Sequence, residues 1–315
     1  MNPKYLTIRP EIQQALDQRR PVVALESTVI SHGLPFPDNL EIAAGMEMRV
    51  RQSGAIPATI GLLDGKIVVG LDSHEIRRLA ESPDVVKVSR RNIAPVLAQR
   101  KLGATTVAAT MLVSAAAGIR FFATGGIGGV HRGAQNTFDI SADLIEFGRS
   151  SVAVVCAGPK AVLDIPLTLE VLETAGVPII GYGSAQLPAF YSLDSGFTLD
   201  HFATTPREIA EIARTHWELP LRSGLLIANP PPAEQAINRN EIESLLEEAV
   251  AASERQGIRG AAVTPFLLSC LSQTSGGRTL AVNKALLLNN ASLAGSIASE
   301  YYEAAVEPRM SSPER

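Results

Sequence analysis

Short apolar runs recur along this chain with helical patterns between them, and this alternation constrains the fold more than any other feature. Such an order is typical of a largely parallel sheet that is covered by helices. The runs are VVALES (22–27), VVKVS (85–89), RFFATGG (120–126), SVAVVCAG (151–158), VPIIGYG (177–183) and GLLIANP (224–230). The sequence therefore predicts an α/β fold in which these runs form the strands.

One segment departs from the alternation. In TIGLLDGKIVVGL (59–71), Asp64 and Gly65 separate two apolar runs and supply the residue pair that tight hairpin turns prefer. We therefore expect one β-hairpin within the α/β pattern. Near the other end of the chain, residues 281–302 repeat apolar side chains at helical spacing, and we expect residues 309–315 to form a frayed tail.

The composition limits the classes of function. The 315 residues carry 28 basic and 32 acidic side chains, and only 5% of the residues are aromatic. This composition does not favour binding to a nucleic-acid polymer. No secretory signal is apparent, and the uncharged stretch 102–119 has the Ala- and Thr-rich composition of a buried helix rather than of a membrane span. The two cysteines have no metal or disulfide spacing. We expect a cytoplasmic protein with a single domain, residues 1–315.

A glycine-rich stretch is the first candidate for chemistry. ATGGIGGVHRGAQNTFDISADL (123–144) follows a strand-like run and holds five glycines between residues 125 and 133. Glycines let backbone amides approach an anion, so the loop is either a phosphate cradle or a flexible turn, and its spacing matches neither a dinucleotide fingerprint nor a P-loop. His131 within it either adds charge to the same anion or is a solvated loop residue.

Two aspartates follow this loop. Ser141 is placed to cap a helix that ends near Gly148, which puts Asp143 in the first turn, where the helix dipole alone favours a carboxylate. Asp139 precedes the cap, so the dipole does not account for it. It is either a solvated loop residue or the ligand of a hard divalent cation that keeps several waters.

A lysine at the end of another apolar run is the candidate nucleophile. A helical pattern extends from Lys160 to Ala175, but Pro166 favours a start near Asp164 with the lysine just ahead of it. The positive end of the helix disfavours an ammonium group there, which would leave an amine able to form a Schiff base. The alternative is a solvated surface lysine.

Glu26 and Lys87 repeat this pattern, because each is a charged residue near the end of an apolar run. The carboxyl ends of parallel strands meet at one edge of a sheet, which is where ligands bind in open α/β folds. If all these strands are parallel, Glu26, Lys87, the glycine loop and Lys160 converge on one crevice. This convergence is the strongest physical indication of a site.

These segments, taken together, resemble those of the pseudouridine-5′-phosphate glycosidases. The resemblance covers most of the chain, and its motifs occur in the same order. They are ALESTVISHGLPFPDNLE, PATIGLLDGKIVVGL, the Lys87 strand, GATTVAATM, FATGGIGGVHRG, FDISADL, CAGPKAVLDIPLTLEVLETAGVP, IANPPP, TPFLLSCL and AVNKALLLNNASLAGSIA.

The resemblance implies a fold and an activity. The fold is the three-layer α/β/α arrangement of indigoidine synthase A-like proteins, with a mostly parallel central sheet and a β-hairpin, in a homotrimer. The activity is reversible cleavage of the C–C glycosidic bond of pseudouridine 5′-phosphate to uracil and ribose 5-phosphate, with a lysine Schiff base and with Mn²⁺ or a similar divalent cation. The alternatives are a metal-dependent phosphatase acting on a related nucleotide or sugar phosphate, and a non-catalytic sugar-phosphate sensor.

The resemblance also implies roles for individual residues. Lys160 would be the nucleophile, Glu26 the acid/base and Asp139 the metal ligand. The substrate-binding positions would be Lys87, His131 and Thr124 at the phosphate, Ser141, Ala142 and Asp143 in the segment after the metal ligand, and Thr106, Val107 and Asn283 at the base.

Overall fold

The computed structural model describes residues 1–258 and 263–304, so the expected frayed tail lies outside the described residues. The strands are β1 (Leu6–Ile8), β2 (Val22–Leu25), β3 (Ile56–Leu63), β4 (Lys66–Val69), β5 (Val86–Val88), β6 (Gly103–Thr105), β7 (Phe121–Ala123), β8 (Val130–His131), β9 (Ala153–Cys156), β10 (Leu163–Asp164), β11 (Ile179–Tyr182), β12 (His201–Ala203) and β13 (Leu225–Ala228). The helices are α1 (Pro10–Asp17), α2 (Asp38–Gln52), α3 (Ser73–Glu81), α4 (Ile93–Ala98), α5 (Val107–Ala117), α6 (Ala134–Thr137), α7 (Ala142–Phe147), α8 (Ile165–Thr174), α9 (Pro206–Glu218), α10 (Arg239–Arg255), α11 (Val263–Thr274) and α12 (Arg278–Glu303).

The central sheet is mostly parallel, as predicted. Strands β3, β2, β7, β9, β13, β11 and β12 are neighbours in this order, and each pair among them is parallel. The predicted hairpin joins β3 to β4 in antiparallel pairing, and Asp64 and Gly65 both take the positive φ angles (52° and 84°) that this tight turn requires. The α/β prediction and the hairpin are confirmed.

Strand β3 also carries a side arm that the sequence pattern did not predict. Its first half pairs in parallel with β2, with Leu25 opposite Thr59. Its second half pairs in antiparallel fashion with β6, with Gly61 opposite Ala104, and β5 pairs with β6. The strands that carry the candidate residues are therefore not all parallel, although their ends still meet.

Helices cover both faces of the sheet. Val23 and Leu25 of β2 belong to a core that also holds residues of α2, α9, α10, α11 and α12. Val22 and Ala24, one position out of phase, belong to a second core with α1, α5, α7 and α8. Because successive side chains of a strand point to opposite faces, this alternation gives the three α/β/α layers.

The uncharged stretch 102–119 divides into β6 and the buried helix α5. Thr106 caps the helix, and Gly118 ends it with a left-handed φ of 84°. Within the described ranges, no helix combines the length and the apolar character that crossing a membrane requires. Of the two cysteines, Cys156 is buried and Cys270 is half-buried, and both are free thiols.

The segment around Lys160 follows the second of the two predicted helix starts. Helix α8 begins at Ile165, and the Asp164 side chain caps it by accepting the Leu167 amide at 3.1 Å. Leu163 and Asp164 form β10 and pair with β8, a contact between segments distant in sequence. Lys160 therefore lies in a loop ahead of β10, outside the helix itself.

Candidate active site

The candidate site lies where the loops after β2, β7 and β9 face the β5–β6 arm. Glu26 follows β2, Thr124 follows β7 and Lys160 follows the next strand, β9. Two buried hydroxyl groups attach the arm at this point. Ser27 donates to the Ile60 carbonyl at 2.6 Å and accepts the Thr105 amide at 2.8 Å, and the Thr105 hydroxyl donates to the same carbonyl at 2.9 Å.

Glu26 is a buried carboxyl group, 7% exposed. The hydroxyl groups of Thr28 and Thr124 each donate a short hydrogen bond to one of its two oxygens. Burial raises the pKa of Glu26, while the positive charge of Lys160 and the two threonine hydrogen bonds oppose that rise. The carboxyl group is thus biased towards its protonated form and is held in one orientation.

A buried amide pair supports this arrangement, and inspection of single motifs missed it. Asn290 of α12 is fully buried and donates to the Thr124 carbonyl at 2.8 Å. Its own oxygen accepts a hydrogen bond of 2.9 Å from Asn229, which follows β13. The signal in the sequence was the Asn289–Asn290 pair within an otherwise apolar stretch of helix, since a buried amide in such a position needs partners.

Lys160 is half-buried, and hydrogen bonds fix its backbone to the glycine loop. Its amide donates to the Ile127 carbonyl at 3.0 Å, and the Ile127 amide donates to the Gly158 carbonyl at 3.1 Å. The Ala157 amide donates to the Gly125 carbonyl at 2.8 Å. The loops after β7 and β9 therefore continue the sheet's pairing beyond the two strands, which carries Lys160 to its position beside Glu26.

The glycine loop packs closely against its neighbours. A side chain at Gly126 would meet the Phe190 ring, and one at Gly128 would collide with Ser141. The amides of Ile127, Gly128, Val130 and His131 donate to protein acceptors. These four amides are therefore not available to a phosphate.

Asp143 lies in the first turn of α7, as predicted, and Ser141 caps that helix by accepting the Asp143 amide at 3.2 Å. Ala142 is the first residue of the helix and is exposed. The buried Asp143 carboxylate accepts the Ala108 amide and the Gly128 amide, each at 2.9 Å. It thus joins the start of α5 to the glycine loop, a role that the helix dipole alone did not predict.

Asp139 has a more open environment, with its side chain 46% exposed. Its Oδ2 atom lies 3.9 Å from Nδ1 of His131, and its carbonyl accepts the His131 amide at 3.0 Å. Within the described residues, no group of three or more His, Cys, Asp or Glu side chains is placed to hold a metal ion. A cation here would have to keep most of its ligands as water or substrate oxygens.

Lys87 lies in the middle of β5 and retains an exposed side chain. Partial desolvation lowers the pKa of Lys87, and the charge of Lys160 lowers it further, whereas Glu26 and Asp143 oppose the shift. The four charged groups therefore act on one another within one crevice. His32 also lies near Lys87. Burial of His32 lowers the pKa of this histidine, and the charge of Lys87 lowers it further. The ISHG motif contains His32, but it was not singled out.

The predicted base-side residues lie around the same crevice. Thr106 and Val107 begin α5, whose next amide is held by Asp143. Asn283 of α12 reaches the glycine loop, where its Oδ1 atom lies 3.5 Å from the position that a Cβ atom on Gly125 would occupy. A helix start and a side-chain amide offer the donors and acceptors that the polar edge of a pyrimidine can use.

The chain has full-length relatives of known name. It is 51% identical over 295 residues to a pseudouridine-5′-phosphate glycosidase of Staphylococcus aureus (strain MW2), covering 94% of this chain and 96% of that one. It is 53% identical over 294 residues to an enzyme of the same name from Solibacter usitatus (strain Ellin6076), covering 93% and 98%.

Solved structures with the same fold include a prealnumycin C-glycosynthase in complex with ribulose 5-phosphate. That structure is 39% identical, matches with a TM-score of 0.91 and covers 98% of this chain and 100% of its own. An indigoidine synthase A-like protein of Thermotoga maritima MSB8 matches with a TM-score of 0.85 and 37% identity, covering 95% and 97%. The family model "Indigoidine synthase A like protein" matches residues 11–300. The chain therefore belongs to the indigoidine synthase A-like protein family.

Proposed function

We propose that this protein is a pseudouridine-5′-phosphate glycosidase that reversibly cleaves the C–C bond between uracil and ribose 5-phosphate. The observation that carries the proposal is the placement of a lysine and a buried carboxyl group of raised pKa in one crevice, in a chain that is half identical to enzymes of that name. A C-glycosynthase among the structural neighbours supports C-glycosidic chemistry on this fold. The relatives give no support to the phosphatase alternative.

This bond needs more than a pair of carboxylates. Uracil would leave through carbon C5, which is a far poorer leaving group than the oxygen that ordinary glycosidases expel. Ring opening avoids that step. A protonated Glu26 donates its proton to the ring oxygen, the sugar opens into a species conjugated with uracil, and the Lys160 amine adds to C1′. The nitrogen lone pair then drives cleavage of the C–C bond.

The products follow from the same two groups. When the Lys160 amine adds to C1′ it gives up one proton to the Glu26 carboxylate, which passes it to C5 as the C–C bond breaks. Cleavage leaves uracil and a Schiff base between Lys160 and ribose 5-phosphate. Water then hydrolyses the Schiff base with Glu26 as the acid/base, which frees the sugar phosphate and the lysine. Burial favours neutral Glu26, which is the form that donates the first proton of the reaction.

The remaining residues bind and orient the substrate in this proposal. Lys87 and His131 contact the phosphate, with Thr124 beside them. Ser141, Ala142 and Asp143 border the sugar. Thr106, Val107 and Asn283 meet the uracil edge. Because the phosphate is anchored at one end of the sugar, the anomeric carbon C1′ at the other end stays near the Lys160 amine. This lowers the entropic cost of the amine's attack on C1′.

A divalent cation such as Mn²⁺ fits the exposed side of the crevice. Asp139 offers an accessible carboxylate there. With so few protein ligands, the ion would retain waters. When bound there, it would polarise water and substrate oxygens.

We also propose a cytoplasmic homotrimer, for which exposed side chains such as Phe138 (83%) and Ile145 (53%) offer apolar contact surface.

Incubation with pseudouridine 5′-phosphate and Mn²⁺ tests the proposal, with uracil and inorganic phosphate measured together. We expect free uracil and a sugar that retains its phosphate. Lys160→Ala should abolish uracil release, whereas Lys101→Ala, a change at an exposed lysine, should not. Borohydride with ribose 5-phosphate should add the reduced sugar phosphate to Lys160. Phosphate release without uracil, or an unchanged protein mass after borohydride, would contradict the proposal.

A further inference from the structure

The segment between β11 and β12, residues 183–200, folds over the loop that carries Lys160. We call it the cover loop. It is braced by its own hydrogen bonds, among them Leu187 amide to Phe197 carbonyl at 2.9 Å and Leu199 amide to Ala185 carbonyl at 2.7 Å. The tip of this braced loop, residues 188–191, contacts the loop after β7 and the loop after β9, which carries Lys160.

Phe190 is the residue of the tip that makes the closest contacts. Its ring is 3% exposed and packs on Gly126, where an added Cβ atom would lie 2.5 Å from ring carbon Cδ2. Its amide donates to the Ala157 carbonyl at 3.0 Å. Tyr191 packs edge-on against the ring at 4.7 Å between centroids. Phe190 is therefore held from one side and presses on the catalytic loops from the other.

The backbone of Phe190 has a left-handed conformation, with φ of 60°. Bulky residues rarely adopt it, and such conformations persist only where surrounding contacts enforce them. The neighbouring Pro188 carbonyl approaches Gly158, where a Cβ atom would lie 2.7 Å away, and Gly158 itself has φ of 84°. The chain therefore accepts an unfavourable backbone at the tip to bring ring and carbonyl against Gly126 and Gly158.

The two glycines that the tip contacts belong to the loops that fix the backbone of Lys160. Gly126 and Gly158 are part of the pairing between the loops after β7 and β9, in which the Lys160 amide bonds to the Ile127 carbonyl. The Phe190 ring packs on Gly126 in the loop after β7, and the Phe190 amide donates to the Ala157 carbonyl in the loop after β9. Phe190 therefore holds the two loops together. Resting on the proposed function, we propose that Phe190 is a positioning residue that holds the nucleophilic lysine in register with Glu26 and the anomeric carbon.

The proposal predicts a particular kinetic pattern for Phe190→Ala. Small displacements of a reacting group cost up to about 100-fold in rate, so kcat should fall roughly 10- to 100-fold. KM should stay within about twofold, because a buried ring does not bind substrate directly. Reductive trapping of ribose 5-phosphate on Lys160 by borohydride should slow in parallel with kcat. Phe190→Leu, which keeps much of the apolar volume, should recover part of both rates.

Phe197→Ala is the matched control. Phe197 belongs to the same cover loop but packs with Leu187, Leu199 and Ala228 instead. It should lower the melting temperature without slowing trapping. All variants are assayed below their melting transitions, and Phe190→Leu carries the test if the alanine variant does not fold.

Two results would overturn the proposal: wild-type trapping rates in folded Phe190 variants, or equal losses of trapping rate in the Phe190 and Phe197 variants. Failure of the proposed function is a separate outcome, since wild-type protein would then release no uracil at all.

Discussion

The two sides of the crevice differ in how much of their geometry the chain fixes by itself. On the acid side, Glu26 and Asp143 are buried, and each carboxyl oxygen accepts a hydrogen bond from a threonine hydroxyl or a backbone amide. On the open side, Asp139, His131 and Lys87 retain solvent exposure, and Asp139 Oδ2 lies 3.9 Å from His131 Nδ1. The proposed acid Glu26 and the sugar-side Asp143 are thus preorganised, whereas the groups proposed for phosphate and cation binding depend on their ligands for order.

The largest effect is expected on the acid side from Glu26→Gln. An amide cannot donate the proton for ring opening, so kcat should fall by about 10²- to 10⁴-fold. In the wild type, the rate should decline as pH rises through the raised pKa of Glu26, because the acid form is then lost. A pH–rate profile of uracil release checks this, with Glu170→Gln at an exposed position of α8 as control. A profile without that decline would contradict the assignment.

The same residue sets a pH dependence of stability. The folded protein raises the pKa of Glu26 above its ordinary value of 4.5. The contribution of this group to stability is therefore fully present below about pH 4.5 and is lost as pH rises through the folded pKa. Glu26→Gln should gain stability relative to wild type as pH increases. Thermal melts between pH 4 and 8 measure the difference, and a gain that shrinks on raising the pH would show that the sign is wrong.

Asp143→Asn should have the next largest effect and should alter stability as well as rate. The new amide group cannot accept both the Ala108 and Gly128 amides, and an unsatisfied buried donor costs about 1–3 kcal/mol of unfolding free energy. The loosened start of α5 and glycine loop should lower kcat by roughly tenfold or more. Denaturant melts and uracil release measure the two losses. An undiminished melting midpoint would place the carboxylate outside the hydrogen-bond network described above.

Lys87→Gln tests the open side and should act mainly on substrate affinity. A hydrogen bond to a charged group contributes about 1.5–3 kcal/mol, so KM should rise roughly 10- to 100-fold with a smaller change in kcat. Because the pKa of Lys87 is lowered in the fold, wild-type KM should also rise at alkaline pH. Competition by inorganic phosphate is the readout, and unchanged phosphate affinity in the variant would move the phosphate site elsewhere.

The smallest effect is expected from Asp139→Asn, the same chemical change as at position 143. The exposed side chain should leave the melting temperature within about 1 °C of wild type, because surface substitutions rarely exceed ±0.5 kcal/mol. Uracil release should need about tenfold more Mn²⁺. Mn²⁺ titrations of the two variants compare the sides directly. Equal loss of stability at Asp139 and Asp143 would remove the contrast between them.

Local pattern predicted the hairpin, the long helix α12 and six other strands, because these depend on short-range spacing and turn chemistry. The six are β2, β5, β7, β9, β11 and β13. Asp64 and Gly65 could be assigned to a turn from their residue types alone. The start of α8 was harder to predict. Residues 163 and 164 leave the helical pattern only because they pair with β8, and such pairing is set by the tertiary fold.

The candidate site divides in the same way. Glu26, Lys87 and Lys160 were found because charged side chains near the ends of apolar runs are conspicuous. Asn290 and Phe190 were not, because one lies in an apolar helix and the other in a loop without a chemical signature. Both act through the backbone of residues that the motifs contain. Side chains that hold a site in place without contacting the substrate form no motif that can be recognised in the sequence.

The buried amide of Asn290 has a consequence for biosynthesis. The carbonyl that it holds belongs to Thr124, whose hydroxyl orients Glu26, so residues 26, 124 and 290 must all have left the ribosome before this hydrogen-bond chain is complete. A nascent chain can pair its early strands while it is still tethered, but the hydrogen bond from Asn290 to Thr124 forms only after α12 has docked. The hydrogen-bonded setting of Glu26 is therefore completed only near the end of synthesis.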